Sequence, residues 1–189
     1  MTKIINIKNY SPVSTDKFLF DANIWLYLYC PLGNYNSTAI KNYENFLVKV
    51  IKVNSSIYIS SLILSEFINR YIRLDFNIKK NINPVQFTDF KKDYRSSAEY
   101  RNTIKTIHAT INQQISKITK QADDNFSSYN LKEILNRIEN SDFNDLCSEE
   151  LSSISSFKIV TDDRDFLHAI KAIEVLTANP KLLNPTKIN

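Results

Sequence analysis

Four short apolar runs, separated by longer stretches of helical periodicity, set the fold class of this chain. Phe18-Leu19-Phe20, Ile57-Tyr58-Ile59, Phe157 to Thr161 and Ile173 to Leu176 read as strands. Between them Ile40, Tyr43, Phe46, Leu47 and Val50 recur at helical spacing, and so do Leu62, Ile63, Phe67, Ile68 and Tyr71. Strands alternating with helices imply a parallel sheet in a three-layer α/β/α sandwich. The expected class is therefore α/β, with a central sheet of four to five strands. The 189 residues suit one domain spanning 1–189.

Helices are expected over Asn23 to Cys30 with Asn23 as its cap, Ser37 to Val53, Leu131 to Ile138, Asp142 to Ile154 and Phe166 to Lys171. Residues 75–125 form a helical insertion in this reading. Within it Ile104, Ile107, Ile111, Ile115 and Ile118 make an apolar stripe between Val85 and Ile118. The tail after Ala178, with Pro180 and Pro185, reads as irregular.

The acids fall in a telling place. Asp21 follows the first apolar run, Glu66 lies a few residues past the second, and Asp163 follows the third, while Asp145 opens an amphipathic stretch. The carboxyl ends of strands in an open α/β sheet converge on one crevice, so these groups can meet there. Such a cluster needs a cation or a raised pKa, because like charges 4 Å apart repel by about 4 kcal/mol at an effective dielectric near 20. Hard oxygen donors favour Mg²⁺ or Mn²⁺.

Composition removes competing chemistries. The single glycine, Gly33, excludes a glycine-rich phosphate loop and a dinucleotide turn. Cys30 and Cys147 lack metal-ligand spacing and are too few for a disulfide framework. No signal-peptide core and no long apolar run is present, so the expectation is a cytoplasmic protein with no membrane span. Charge is unevenly spread: Arg70 to Lys120 carries a net +7, and Gln121 to Glu150 a net −6. A basic segment beside an acidic one suits a polyanion-binding surface next to a metal site. Lys91, Lys92, Arg95, Arg101 and Lys105, with Tyr94 and Tyr100 interleaved, are the candidates for gripping RNA by phosphate contact and base stacking.

On these residues the sequence resembles a known family. Asp21-Ala22-Asn23 after an apolar strand is similar to the opening Asp-x-Asn of PIN-domain nucleases. Ser60 to Glu66 resembles their second motif, in which a strand leads into a helix bearing a Glu. Asn144-Asp145 and Thr161-Asp162-Asp163-Arg164-Asp165-Phe166 resemble the third and fourth. The resemblance covers roughly Phe18 to Leu176, and its pattern is most similar to the VapC-type toxins of bacterial toxin–antitoxin systems. The stretch between Glu66 and Asp145 is long for those compact toxins. Leu146-Cys147-Ser148-Glu149-Glu150 stands where the family often has an alanine-rich face.

The resemblance implies a Mg²⁺- or Mn²⁺-dependent endoribonuclease, with RNA as substrate and a cognate antitoxin protein or a second copy as partners. In this reading Asp21, Asp145 and Asp163 coordinate metal, and Glu66 holds a water or acts as general base. Asp142 and Asp165 are the reserve carboxylates, and Asn23 and Thr161 hydrogen-bond the ligating acids from behind. The alternative is a PIN-like module that binds RNA or protein without catalysis. A further one is another acid-cluster phosphotransfer enzyme on a similar sheet.

Overall fold

The computed structural model describes residues 1–184. Six parallel strands form one sheet: β1 (Lys3–Asn6), β2 (Lys17–Phe20), β3 (Ser56–Ile59), β4 (Lys120–Gln121), β5 (Lys158–Val160) and β6 (Glu174–Thr177), in the order β1-β6-β5-β2-β3-β4. The helices are α1 (Ala22–Tyr29), α2 (Ser37–Lys52), α3 (Ser61–Ile82), α4 (Ala98–Thr110), α5 (Ser116–Ile118), α6 (Leu131–Leu135), α7 (Phe143–Ser155) and α8 (Pro180–Leu183). The parallel α/β architecture expected from the alternation is present. Two edge strands extend it beyond the four runs visible in the sequence. β1 is half-buried and β4 is two residues long, so neither carries a strong apolar signature.

The strands are covered on both faces. Val160 and Leu176 join the core shared with α1, α2 and α3, whereas Ile159 and Val175 pack with Phe166, Ile173 and Leu182 in a second cluster. Consecutive side chains leave a strand on opposite faces, so one residue of β5 or β6 serves each layer. Under α1 and α2 an aromatic group fills the first layer: Phe18 meets Phe46 edge-on at 5.5 Å, and Phe20 lies 5.4 Å from Trp25. The fully buried Trp25 donates its indole N–H to the Phe20 carbonyl at 2.9 Å, so its polar group is satisfied.

Local signals explain most helix ends. Asn36 accepts from the Ala39 amide and Ser60 from the Ile63 amide, capping α2 and α3. With one glycine available, Asn54, Asn125 and Ser156 take the left-handed positions, at φ 57°, 49° and 57°. Ser156 ends α7 in this way.

Several boundaries differ from expectation. The cap of α1 is Asp21, whose carboxylate accepts from Ala22, and Asn23 lies inside the helix. α3 runs on beyond Tyr71 to Ile82. The 85–118 stretch is not one helix: a π-helical turn at Phe90–Tyr94 precedes α4, and a second at Ile111–Ile115 links α4 to α5. α6 stops at Leu135, and 164–168 is a 3₁₀ helix instead of an α-helix running to Lys171. After Ala178 the chain is helical over Pro180–Leu183, because Asn179 caps and Pro180 takes the first helical position. The expected irregular tail around Pro185 lies outside the described residues. No helix of the described residues is long and apolar enough to cross a membrane.

The basic segment has its own anchor. Asp75 of α3, buried, accepts from the Tyr94 hydroxyl at 2.5 Å and the Thr103 hydroxyl at 2.7 Å. Tyr94 is fully buried and Tyr100 half-buried, so Tyr94 is not available for base stacking. Lys91, Lys92, Arg95 and Arg101 are exposed, and Arg101 donates to the Ser96 carbonyl at 2.9 Å.

Candidate metal centre

Parallel strands place every strand exit on one edge of the sheet. Asp21 leaves β2 there, its amide bonded to the Val160 carbonyl of β5 at 3.0 Å. Thr161 and Asp163 leave β5 beside it, and Glu66 sits in the second turn of α3 after β3. The α7 helix returns the chain to β5, so its N-terminus, with Asp142 and Asp145, comes to the same edge. The result is a cavity of about 230 Å³ lined by Asp21, Glu66, Asp142, Asp145 and Asp163, with Arg70 at its side.

Asp21 is held from three directions. Its Oδ1 accepts from the Ala22 amide at 2.6 Å, and its Oδ2 from the Asn23 amide at 2.6 Å and the Thr161 hydroxyl at 2.7 Å. Thr161, fully buried, also accepts from the Asp163 amide at 2.9 Å. Asn23 and Thr161 therefore lie behind Asp21 as hydrogen-bond donors. Glu66 accepts from Arg70 at 3.0 Å through one oxygen and from Asn144 at 3.3 Å through the other. The i,i+4 ion pair available on α3 is thus made, and it lies at the cavity. Asp163 caps the 3₁₀ turn by accepting from the Asp165 amide at 3.0 Å.

The closest-set carboxylates are the reserve pair with Asp145. One oxygen each from Asp142, Asp145 and Asp165 lie within 4.8 Å of one another; among the described residues no other three acids do so. Asp142 stands at the N-cap of α7 yet makes no capping bond with its side chain. An Asp at that position ordinarily accepts from the first turn. This one does not, which leaves its oxygens for the acid group.

The electrostatics follow from this crowding. Burial, then the charges of Glu66 and Asp163, push Asp21 up to about 7, against the lowering pull of its bonds from Thr161 and Ala22. Burial, then the charges of Asp21, Asp163 and Glu66, push Asp145 up to about 9. Burial works against the Arg70 cation, but Glu66 and Asp21 outweigh it and hold its pKa above the ordinary value. A hard, oxygen-only donor set that resists ionisation without a counter-charge fits a divalent cation such as Mg²⁺ or Mn²⁺.

Contacts not legible in the sequence complete the site. Tyr43 of α2 donates to Asp162 at 2.7 Å and accepts from the Ala178 amide at 3.0 Å, tying the ends of β5 and β6 together. Tyr27 donates to the other Asp162 oxygen at 2.9 Å. On the far side of α7, buried Glu149 accepts from the Ile170 and Lys171 amides, each at 2.7 Å, and from Arg137 at 2.6 Å. Arg137 also donates to the His168 carbonyl at 3.0 Å. The loop that carries Asp163 and Asp165 is so braced against the helix that carries Asp145. His168 itself is exposed, as is His108, whose ring meets Asn112 at 2.9 Å.

The structure is thus a parallel α/β sandwich whose carboxyl edge holds a pocket of acids from three strand exits and a returning helix. Among solved structures the chain is similar to VapBC2 from Rickettsia felis bound to a DNA fragment from their promoter, at 15% identity and a TM-score of 0.52, over 85% of this chain and 98% of that one. It is also aligned with PAE2754 from Pyrobaculum aerophilum at 15% identity and a TM-score of 0.39, over 95% and 94% of the two chains. The likeness to the first shows a shared fold. No protein-family model and no curated protein matches the sequence.

Proposed function

We propose that the chain is a divalent-metal-dependent nuclease that hydrolyses phosphodiester bonds of RNA endonucleolytically. The observation that carries this reading is the single cavity shared by Asp21, Glu66, Asp142, Asp145 and Asp163 at the carboxyl edge of the sheet. Asp21, Asp145 and Asp163 are the residues that would hold Mg²⁺ or Mn²⁺, with Asp142 and Asp165 completing the set on the side of Asp145. A bound ion would supply Lewis acidity, offsetting charge that builds on the phosphodiester oxygens and lowering the pKa of the attacking water.

The protein's own groups do the rest. Thr161 and Asn23 fix the Asp21 carboxylate, so its oxygens do not have to be reoriented when the site is loaded. Arg70 and Asn144 orient Glu66 over the cavity, where its carboxylate can take the proton of the attacking water. Arg70 sets a positive charge beside the place where phosphate charge accumulates.

The VapBC2 neighbour is a complex found on promoter DNA, which supports a further reading: the toxin of a toxin–antitoxin pair, held by a protein antitoxin. The nuclease is tested with the full chain on labelled RNA in Mg²⁺ or Mn²⁺ and in excess chelator, beside a phosphomonoester. Internal cuts that need the metal and vanish in Asp145→Asn are expected. Phosphomonoester hydrolysis without RNA cleavage would reassign the pocket to phosphatase chemistry.

A further inference from the structure

Beside the acid pocket lies a larger groove of about 820 Å³, and Arg70 and Asp163 line both. Most neutral polar groups facing this groove are already committed inside the protein. The Tyr27 hydroxyl is given to Asp162. Asn23 bonds Asp21, Thr161 and the Asp162 amide. Asn179 donates to the Asp162 carbonyl at 2.6 Å and accepts from the Lys181 amide at 2.9 Å. The cations are different. The side chains of Arg164, His168 and Lys181 are exposed on the groove and make no hydrogen bond or ion pair among the described residues. Arg70 spends one guanidinium nitrogen on Glu66, which leaves donors of its fork for a second partner.

These cations also come from separate elements. Arg70 projects from α3, Arg164 from the 3₁₀ turn and Lys181 from α8. They share the lining with Asp162, whose oxygens Tyr27 and Tyr43 take up, and with Asp163 and Asp165 on the side of the acid pocket. They border a space more than three times that pocket's volume, room for an extended chain. We infer that this groove is the track for the sugar–phosphate backbone of a single-stranded RNA, in which Arg164 and Lys181 take phosphates flanking the scissile one and Arg70 bridges track and acid pocket. The inference rests on the nuclease reading and deepens it. It places the principal phosphate contacts beside the acids, whereas the basic turn at Lys91, Lys92 and Arg95 offers charge without a free aromatic at Tyr94.

The test is binding of a fluorescein-labelled single-stranded RNA to the full chain, read by anisotropy across a salt series. An Asp145→Asn background prevents cleavage during the measurement. Adding Arg164→Ala and Lys181→Ala is expected to weaken binding at least tenfold at low salt. The slope of log affinity against log salt should flatten by about 1.4, at roughly 0.7 per phosphate contact on a single strand. Both residues are exposed, so a thermal melt matching the parent is expected to exclude misfolding. Replacing Lys91, Lys92 and Arg95 by Ala serves as the comparator. A slope left intact by the groove pair, or flattened only by the comparator, overturns the track. If wild type still cleaves RNA in that case, the nuclease reading survives alone; if wild type neither binds nor cleaves RNA, both fall.

Discussion

Asp21→Asn offers the sharpest test of the electrostatics, because it should stabilise the metal-free protein by removing an acid. Asp21 is 8% exposed, and its pKa stands at about 7 against an ordinary 3.8. Above pH 7 the folded state therefore carries a carboxylate disfavoured by about 4 kcal/mol, since each pH unit between those two values is worth about 1.4 kcal/mol. The folded pKa is raised, so the stability this group confers is complete below pH 4 and is lost as pH climbs through 7. Asparagine abolishes that penalty and keeps the shape. Its carbonyl can still accept from Ala22, but its amide faces the Asn23 amide and the Thr161 hydroxyl, and losing an acceptor there costs about 1–2 kcal/mol. The net gain at pH 8 is then about 2–3 kcal/mol. It should shrink by about 1.4 kcal/mol per pH unit below 7 and reverse sign near pH 5. Urea unfolding in excess chelator at pH 5, 6, 7 and 8 reads this directly, with a midpoint rise of about 1 M at pH 8 for a slope near 3 kcal/mol/M. A gain that does not change with pH, or a loss at pH 8, would refute the reasoning, since either means that Asp21 carries no buried-charge penalty.

Saturating Mn²⁺ at about 100 times its Kd should stabilise wild type by about 2.7 kcal/mol, raising the Tm by about 5–11 °C at pH 8 and much less at pH 5, where protons compete. Comparing Asp21→Asn with Asp165→Asn assigns the ion, because loss of the thermal stabilisation in Asp165→Asn alone would place it with Asp142 and Asp145 and away from Asp21. Glu149→Ala should cost about 3–5 kcal/mol, as it leaves Arg137 without its buried partner and the Ile170 and Lys171 amides without their acceptor. Amide exchange at Ile170 and Lys171 should then speed up, and unchanged exchange there would mean that Glu149 does not brace the loop.

Periodicity and order are written in the chain before it folds. The runs at Phe18, Ile57, Phe157 and Ile173 bury most of their side chains, continuously in Phe18 to Phe20 and with a half-buried Lys158 or Glu174 interrupting the last two, so their apolar character is readable. Acids that follow such runs reach one edge when the strands are parallel, which is why Asp21, Glu66 and Asp163 could be read together; Asp145, on the helix that precedes β5, follows no such run. Pairing across sequence distance, by contrast, arises only in the folded molecule. β4, two residues at the end of the basic segment, exists because it pairs with β3, where Ile59 offers its carbonyl to Ala122. Asp142 joins Asp165, and Tyr43 joins Asp162, over separations no local pattern records. Asp142 and Asp21 make the division plain. Each stands at a helix N-terminus, where a carboxylate serves as a cap in ordinary sequence logic. Asp21 does cap, and Asp142 turns away. Which oxygen goes to the helix and which to the pocket depends on the elements packed around it, because a side-chain rotamer is chosen by neighbours the chain meets only after folding.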